Sequence, residues 1–236
     1  MKTILHKSET RGHADHGWLN SYHTFSFANY HNPERIHFGA LRVLNDDTVA
    51  GGMGFGTHPH ENMEIVSIPL KGALEHKDSM GNIGVINKGD IQVMSAGTGV
   101  YHSEYNKNKD EEVKFLQIWV FPDKRGVEPR YDQMTLNDDD RHNTLQEVIS
   151  PGFDKGLWLH QDAWFYLGKL DTDNTQEYHL KKDTNGVYIF VLEGEITIGD
   201  QKLHKRDGFG IWETDIFTLK ANTDAEVLLM EVPMDI

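Results

Sequence analysis

The sequence predicts an all-β protein with two β-barrels in tandem. From residue 38 onward, short apolar or alternating segments follow one another at close intervals, with Gly, Asn and Asp at the corners between them. Segments with a helical period are scarce. There is also an internal repeat, because residues 65–74 align with residues 187–196 and both read as a strand, a tight glycine turn and a second strand. A duplicated barrel explains both this rhythm and the length of 236 residues.

The elements of the first copy follow from local patterns. Residues 22–27 have the aromatic and β-branched content of a strand, which the turn residues of 29–33 end. Further strands are predicted over 38–44, 50–56, 64–70, 73–77, 84–86, 91–94 and 113–121. Glycines at 52, 54, 56, 97 and 99 allow a bulge, a close backbone approach or a turn with positive φ.

The second copy is predicted to have strands over 156–160, 164–170, 175–180, 187–192, 195–198, 209–212, 216–220 and 226–231. Between the copies, residues 130–143 carry four acidic residues and no large aliphatic run after Leu136, which is typical of a connector. A short helix over 143–148 is weakly marked. We therefore expect a first barrel over 1–136, a connector over 137–151 and a second barrel over 152–236.

The charge and composition exclude several classes of function. With 37 acidic and 23 basic residues the formal charge is −14, which repels nucleic-acid phosphates and anionic lipids, so neither direct nucleic-acid binding nor membrane binding is expected. No stretch approaches the roughly 20 apolar residues of a membrane-spanning helix, and the N-terminus has no apolar signal region. A cytoplasmic location is expected. Cysteine is absent, so imidazole and oxygen must hold any transition metal.

Two pairs of side chains suggest a metal site in the first barrel. His58 and His60 occupy alternate positions of one predicted strand, as do His102 and Glu104, so each pair shares a face. If the pairs face each other across the barrel, three imidazoles and a carboxylate converge and leave one or two positions of the ion open. In the second barrel, His179 and His204 stand alone, which predicts that this barrel is metal-free.

Several nearby residues admit two interpretations. Glu64 has the same parity as His58 and His60, so the residues alone do not decide between Glu64 and Glu104 as the carboxylate ligand. His76 reads either as a pocket residue or as an exposed strand residue. The irregular spacing and aromatic neighbours of the N-terminal histidines favour partly buried side chains over metal ligands: His13, His16, His23 and His31.

The combined pattern resembles the cupin superfamily. Its first motif, a glycine, His-x-His and a glutamate, is met by Gly52, His58, His60 and Glu64, and its second by Gly89, His102 and Asn106. Two departures occur in the second motif, because Ser95 replaces a proline and two extra residues separate Gly97 from His102. These departures match the pirin family, whose members carry two cupin domains, and the resemblance covers nearly the whole chain.

The resemblance has definite implications. It implies two tandem cupin barrels of the jelly-roll type and a metal site of His58, His60, His102 and Glu104, with Glu64 as a supporting group. Bacterial pirin-like proteins are similar to quercetin 2,3-dioxygenases, which open the central ring of a flavonol with dioxygen. Glu104 would then be the general base, and the aromatic N-terminal segment would supply an apolar wall. Fe(II) is the expected ion among divalent first-row metals, with Zn, Mn, Ni, Co and Cu as alternatives.

The resemblance also supports a different function. Some pirins are redox-sensitive metal-binding regulators, so the protein could dock to a transcription factor or a metabolic enzyme, and its negative charge suits a basic protein partner. A third interpretation is a binding protein with a structural metal. Because cupins host many chemistries, other dioxygenase, isomerase and decarboxylase activities also stay open.

Overall fold

The computed structural model describes residues 1–152 and 156–236. Within these ranges the regular structure consists of β-strands and two short 3₁₀ turns at Ser8–Thr10 and Asp139–Arg141, which confirms the all-β prediction. None of the helical segments described has the length and apolar character needed to cross a membrane.

Twenty-one strands are described. Those of the first half are β1 (Lys2–His6), β2 (Gly12–Asp15), β3 (Leu19–His23), β4 (Leu41–Val49), β5 (Gly54–His60), β6 (Glu64–Lys71), β7 (Ala73–Asp78), β8 (Ile83–Asn87), β9 (Asp90–Ser95), β10 (Val100–Asn106), β11 (Val113–Val120) and β12 (Arg130–Thr135). Those of the second half are β13 (Leu145–Ile149), β14 (Trp164–Leu170), β15 (Thr175–His179), β16 (Asn185–Glu193), β17 (Glu195–Ile198), β18 (Gln201–His204), β19 (Gly208–Trp212), β20 (Ile216–Ala221) and β21 (Ala225–Pro233).

Each half forms a jelly-roll sandwich of two sheets, not one fully closed barrel. The N-terminal sandwich combines a seven-stranded sheet, in the order β12-β9-β6-β11-β4-β3-β2, with a four-stranded sheet, β5-β10-β7-β8. The C-terminal sandwich combines a six-stranded sheet, β1-β19-β16-β21-β14-β13, with a four-stranded sheet, β15-β20-β17-β18. In both sandwiches a hairpin glycine with positive φ joins equivalent strands, Gly72 at +75° and Gly194 at +79°, as the internal repeat predicts.

Two segments form edge strands that the sequence analysis did not assign there, and residues 156–160, expected as a strand, form only an isolated bridge between Leu157 and Ile149. Strand β1, expected in the first barrel, pairs with β19 at the edge of the six-stranded sheet, in register from Lys2 opposite Trp212 to His6 opposite Gly208. The helix expected over 143–148 is wrong, because Leu145–Ile149 pairs with β14 as strand β13. Both segments satisfy backbone groups at a sheet edge, and local sequence does not reveal such a distant partner.

The largest apolar core lies between the two big sheets. Val66 and Ile68 of β6 and Ile118 of β11 project from the seven-stranded sheet and join Phe165 and Phe190 of the six-stranded sheet in one buried cluster. The opposite face of the seven-stranded sheet faces the interior of the N-terminal sandwich. Two small apolar clusters lie in this interior, one around Phe115 and one around Ile65. The candidate site lies in the same interior, on strands β5, β10 and β7 and the strands that face them.

Candidate metal centre

The predicted ligands lie on neighbouring strands of the four-stranded sheet. Strand β10 runs between β5 and β7, with His102 opposite His58 and Glu104 opposite His76. Directly paired residues in an antiparallel sheet have Cβ atoms about 4.5–5.5 Å apart. The two ligand pairs therefore meet side by side, and the expectation that they face each other across the barrel is wrong.

A bulge in β5 sets the direction of the two histidines on that strand. Pairing shifts between His102 opposite His58 and Glu104 opposite Phe55, so β5 contains one extra residue over this interval. Glycine is required beside the bulge, because a Cβ on Gly54 would lie 2.3 Å from the carbonyl oxygen of Glu104. The close backbone approach predicted from the glycines of this segment is confirmed at Gly54.

The three histidines form a compact cluster. The ring centroids of His58 and His60 are 4.8 Å apart, those of His58 and His102 are 4.4 Å apart, and those of His60 and His102 are 4.8 Å apart. One nitrogen from each ring lies within 4.8 Å of the others. Within the same limit, Glu104 is grouped with His102 and His76. The four predicted ligands therefore do not form one group within this limit: His102 belongs to both groups, whereas Glu104 is grouped with neither His58 nor His60.

Hydrogen bonds determine which nitrogen of each ring keeps a lone pair that is available to a metal ion. His58 Nδ1 lies 2.8 Å from the carbonyl oxygen of Gly56, so Nδ1 donates and Nε2 is left with its lone pair. His76 Nε2 lies 3.0 Å from Asp78 Oδ2, and its Nδ1 lies 3.5 Å from His102 Nδ1. If His76 donates to Asp78, it accepts from His102 Nδ1, and His102 Nε2 keeps a lone pair. Carboxylate partners orient ligand histidines in this way in metal sites.

Glu104 is enclosed by polar side chains of the facing sheet. Ser67 Oγ donates to its Oε1 at 3.1 Å, and Gln117 Nε2 donates to its Oε2 at 2.7 Å. Burial raises the pKa of Glu104 to about 7, although both hydrogen bonds act to lower it. Burial also lowers the pKa of His60 to about 4 and that of His102 to about 2, and the nearby His58 acts in the same direction. His60 and His102 are therefore neutral at pH 7, as metal ligands must be.

Glu64 lies on the other face of the seven-stranded sheet. It has the same parity on β6 as Val66 and Ile68, whose side chains pack between the two sandwiches. Its Oε2 accepts from Ser95 Oγ at 2.7 Å and from the backbone N–H of His160 at 3.1 Å. The prediction that parity directs Glu64 toward His58 and His60 is wrong, because the turn at residues 61–63, with φ +48° at Asn62, separates the two strands. Glu64 instead connects the sandwich to the segment around His160.

The other histidines have separate environments. His76 is fully buried, so its interpretation as an exposed strand residue is wrong. His179 and His204 are exposed and pair with Glu177 and Glu195. Among the described residues, the N-terminal histidines do not join a three-residue group of metal-ligating side chains, although three of them line the cavity beside the cluster: His13, His16 and His23.

A cavity of about 330 Å³ opens beside the histidine cluster. Its walls include His58, His60 and Glu104 on one side, and Phe27 and Trp119 on another. Trp119 packs edge-on against His60, with ring centroids 5.0 Å apart, and against Phe27 at 5.4 Å. The volume is at the lower end of the range for small-molecule sites. The aromatic N-terminal segment lines this cavity, as the sequence analysis predicts.

The donors present fit a divalent transition metal. His102 Nε2 is buried without a hydrogen-bond partner among the described residues, and an unpaired buried nitrogen costs about 1–3 kcal/mol unless something binds it. Neutral imidazoles and one carboxylate suit several first-row ions. Both three-residue groups of suitable side chains in the described chain lie in the N-terminal sandwich.

Sequence reasoning missed the residues that hold the ligands. Asp78 fixes His76 and accepts hydrogen bonds from the backbone of Met80 and Asn82, but it reads in the sequence as a turn residue. Ser67 and Gln117 read as isolated polar residues within apolar strands. Their buried, alternate positions are a signal, because a polar side chain at a core-facing position needs a partner.

Comparisons with known proteins match both halves of the chain. Residues 5–120 match the family profile described as Pirin, and residues 148–232 match the profile of the quercetinase C-terminal cupin domain. The chain is similar to the quercetin 2,3-dioxygenase of Escherichia coli strain K12, with 45% identity over 230 residues, covering 97% of this chain and 98% of the relative.

Two further proteins are similar along nearly their whole length. A pirin-like protein of Caulobacter vibrioides is 39% identical over 222 residues, covering 93% of this chain and 95% of the relative. Among solved structures, the bacterial pirin YhhW of Escherichia coli in complex with nickel(II) has a TM-score of 0.93 and 43% identity, covering 98% of this chain and 99% of that chain. The similarity thus extends over both sandwiches.

Proposed function

The chain belongs to the pirin family, and we propose from this membership that it is a metal-dependent dioxygenase of the quercetin 2,3-dioxygenase type. It opens the central ring of a flavonol such as quercetin with dioxygen. The observation that carries the proposal is the opening of the histidine cluster onto a cavity of about 330 Å³ with aromatic walls, in a chain 45% identical to a protein of that activity.

We propose His58, His60, His102 and Glu104 as the ligands of one divalent first-row ion, with Fe(II) as the physiological metal. The lone pairs on Nε2 of His58 and His102 support this set. Zn, Mn, Ni, Co and Cu suit the same donors, and the nickel(II) in the related pirin is consistent with a site that accepts several ions. When bound, the ion supplies Lewis acidity at the 3-hydroxyl oxygen of the flavonol.

Glu104 is the proposed general base. Its carboxylate accepts the proton of the flavonol 3-hydroxyl, which leaves the electron-rich enolate that reacts with dioxygen. Ser67 and Gln117 hold the two carboxylate oxygens from the facing sheet, so the base keeps one orientation. Burial raises the pKa of Glu104 to about 7 in the metal-free protein, and a bound cation acts in the opposite direction, so the carboxylate is ionised and able to accept a proton when metal is bound.

The cavity walls position the substrate. Phe27 and Trp119 present ring faces and edges that suit a planar aromatic molecule.

The activity is tested by following the long-wavelength absorption band of quercetin in air with metal-loaded protein. The proposal predicts loss of this band and release of carbon monoxide. Glu104→Gln keeps the shape of the side chain, so this variant should retain metal on the three imidazoles but react about 100-fold more slowly. If wild-type protein with a full complement of metal leaves the band unchanged, the proposed activity is wrong. The cytoplasmic location and the redox-dependent regulatory partner stay predictions.

A further inference from the structure

A row of polar side chains crosses the inner face of the seven-stranded sheet. Gln117 on β11 is directly opposite Ser67 on β6 and, on its other side, Asn45 on β4. Asn45 is in turn opposite His23 on β3. Since Ser67 and Gln117 both donate to Glu104, the row begins at the proposed general base and extends two strands beyond it. On the same face, Asp47 of β4 is directly opposite Ser21 of β3.

The far end of this row is buried. His23, Asn45 and Asp47 are 3%, 2% and 4% exposed. The oxygen Oδ1 of Asn45 and the nitrogen Nδ1 of His23 have no hydrogen-bond partner among the described residues. Because a buried polar atom without a partner destabilises the folded state, such atoms in a native protein call for a specific explanation.

The two unpaired atoms are themselves enclosed, but the side chains that carry them line the cavity that reaches the histidine cluster. His23, Asn45 and Asp47 line it together with His58 and Glu104. The Ser21 hydroxyl donates to Asp47 Oδ1 and so fixes that carboxyl group against the wall. The cavity therefore has a polar region on the seven-stranded sheet in addition to the one at the histidines.

We propose that His23, Asn45 and Asp47 form a subsite for the hydroxyl groups that a polyhydroxylated flavonol carries outside the ring that is opened. The side chains of Asn45 and Asp47 form hydrogen bonds with substrate O–H groups, and the His23 imidazole accepts or donates according to its tautomer. This inference rests on the proposed flavonol activity. With such a subsite, the preferred substrate is a flavonol with several hydroxyl groups. The parent compound 3-hydroxyflavone, which lacks the other hydroxyl groups, is a poor substrate.

Asn45→Leu tests the subsite. Leucine has nearly the same size and removes the unpaired oxygen. Wild-type protein should have a higher kcat/KM for quercetin than for 3-hydroxyflavone, and Asn45→Leu should raise KM for quercetin about tenfold while changing KM for 3-hydroxyflavone less than about twofold. His23→Leu is the second variant and should have the same selective effect. Equal changes on both substrates, or no change on quercetin, would overturn the subsite.

Thermal unfolding separates binding from a structural role. If Asn45 serves only the fold, Asn45→Leu lowers Tm, whereas removal of an unpaired buried oxygen leaves Tm unchanged or raises it. The matched control is Asn185→Leu in the C-terminal sandwich, because Asn185 is equally buried and also has an unpaired Oδ1, but it lies away from the cavity and its Nδ2 donates to Glu231. This control should lower Tm and leave the ratio of kcat/KM for the two flavonols unchanged.

Failure of the subsite and failure of the activity give different results. If wild-type protein consumes neither flavonol, the proposed activity is wrong, and calorimetric titration of the metal-loaded protein without oxygen still tests the subsite. Tighter binding of quercetin than of 3-hydroxyflavone, lost in Asn45→Leu, supports the subsite. Equal binding of the two compounds by the wild type contradicts it.

Discussion

The two sandwiches share a frame but fill it with different chemistry. Counting four residues from the hairpin glycines, His76 in the first corresponds to Ile198 in the second. The strand register extends the comparison, because Glu104 is opposite His76 and Leu219 is opposite Ile198. An acid and an imidazole in one sandwich are therefore replaced by two aliphatic side chains in the other.

The same holds for the ligand pair. His58 is opposite His102 in the N-terminal sandwich, and Tyr178 is opposite Phe217 at the equivalent place in the C-terminal one. Tyr178, Phe217, Ile198 and Leu219 all belong to one buried apolar cluster. The C-terminal interior thus contributes stability through apolar burial. The N-terminal interior keeps buried polar groups and a cavity, both of which lower the stability of the folded state. A trade-off between stability and function of this kind is common at active sites.

Loss of a ligand histidine should have the largest effect. His60→Ala should reduce bound metal to background and lower the rate of flavonol oxidation by more than about 100-fold, since even the residues that support ligands affect metal sites by up to that amount. His179→Ala is the control, because His179 is an exposed histidine on β15, the C-terminal equivalent of β5. Metal content by plasma mass spectrometry and the initial rate are the measurements. A metal-loaded, active His60→Ala protein would remove the distinction between the sandwiches.

The reverse test removes packing from the C-terminal interior. Leu219→Ala should lower the free energy of unfolding by about 2–5 kcal/mol, because Leu219 is fully buried and its loss leaves a cavity. The metal content per folded protein should not change. Urea unfolding at pH 7 measures the first quantity. A loss of metal without a loss of stability would show that the C-terminal sandwich is part of the site.

Disturbing the hydrogen bonds that orient His102 should have a smaller effect on metal binding. Asp78→Asn weakens the acceptor for His76 Nε2 and so disturbs the orientation of His102, which should reduce metal affinity about 10–100-fold. Asp171→Asn is a matched control, since Asp171 also accepts from a histidine, His142, but on an exposed surface. Competition with a coloured chelator measures the affinity. Equal affinities in the two variants would contradict the proposed chain from Asp78 to His102.

The smallest expected effect is the change in the free energy of unfolding with pH that His102 causes. Because burial lowers the pKa of His102 to about 2, the folded metal-free protein keeps this ring neutral, while the unfolded chain protonates it below about pH 6.5. The corresponding stability is complete above pH 6.5 and decreases as the pH falls, by about 1 kcal/mol between pH 6.5 and 5.5. His102→Asn should show a shallower decrease in urea unfolding of metal-free protein. The same slope in both proteins would contradict a neutral buried His102.

The motif spacing predicts which histidines cluster, but not the strand pairing that brings them together. Alternate positions on β5 put His58 and His60 on one face, as expected, and the pairing of β5 with β10 adds His102 to the cluster. The position of Glu64 was mispredicted because parity cannot be counted through the turn at residues 61–63. Local sequence cannot give the partner of a strand, so the pairing of β1 with β19 was also missed.

The sequence does not reveal the polar row for the same reason. His23, Asn45 and Gln117 lie far apart in sequence, and each reads alone as an ordinary polar residue. Only the register of β3, β4 and β11 places them side by side. Side chains brought together by strand pairing are therefore visible in the structure and invisible in a single sequence.

One ion is expected in the N-terminal sandwich and none in its C-terminal counterpart. Diffraction from crystals of the metal-loaded protein, recorded at the absorption edge of the metal, tests this expectation directly. A single anomalous peak is expected within about 2.0–2.3 Å of nitrogens of His58, His60 and His102 and of a Glu104 carboxylate oxygen. A peak bound by His76, His102 and Glu104 without His58 and His60, or a peak in the C-terminal sandwich, would contradict it.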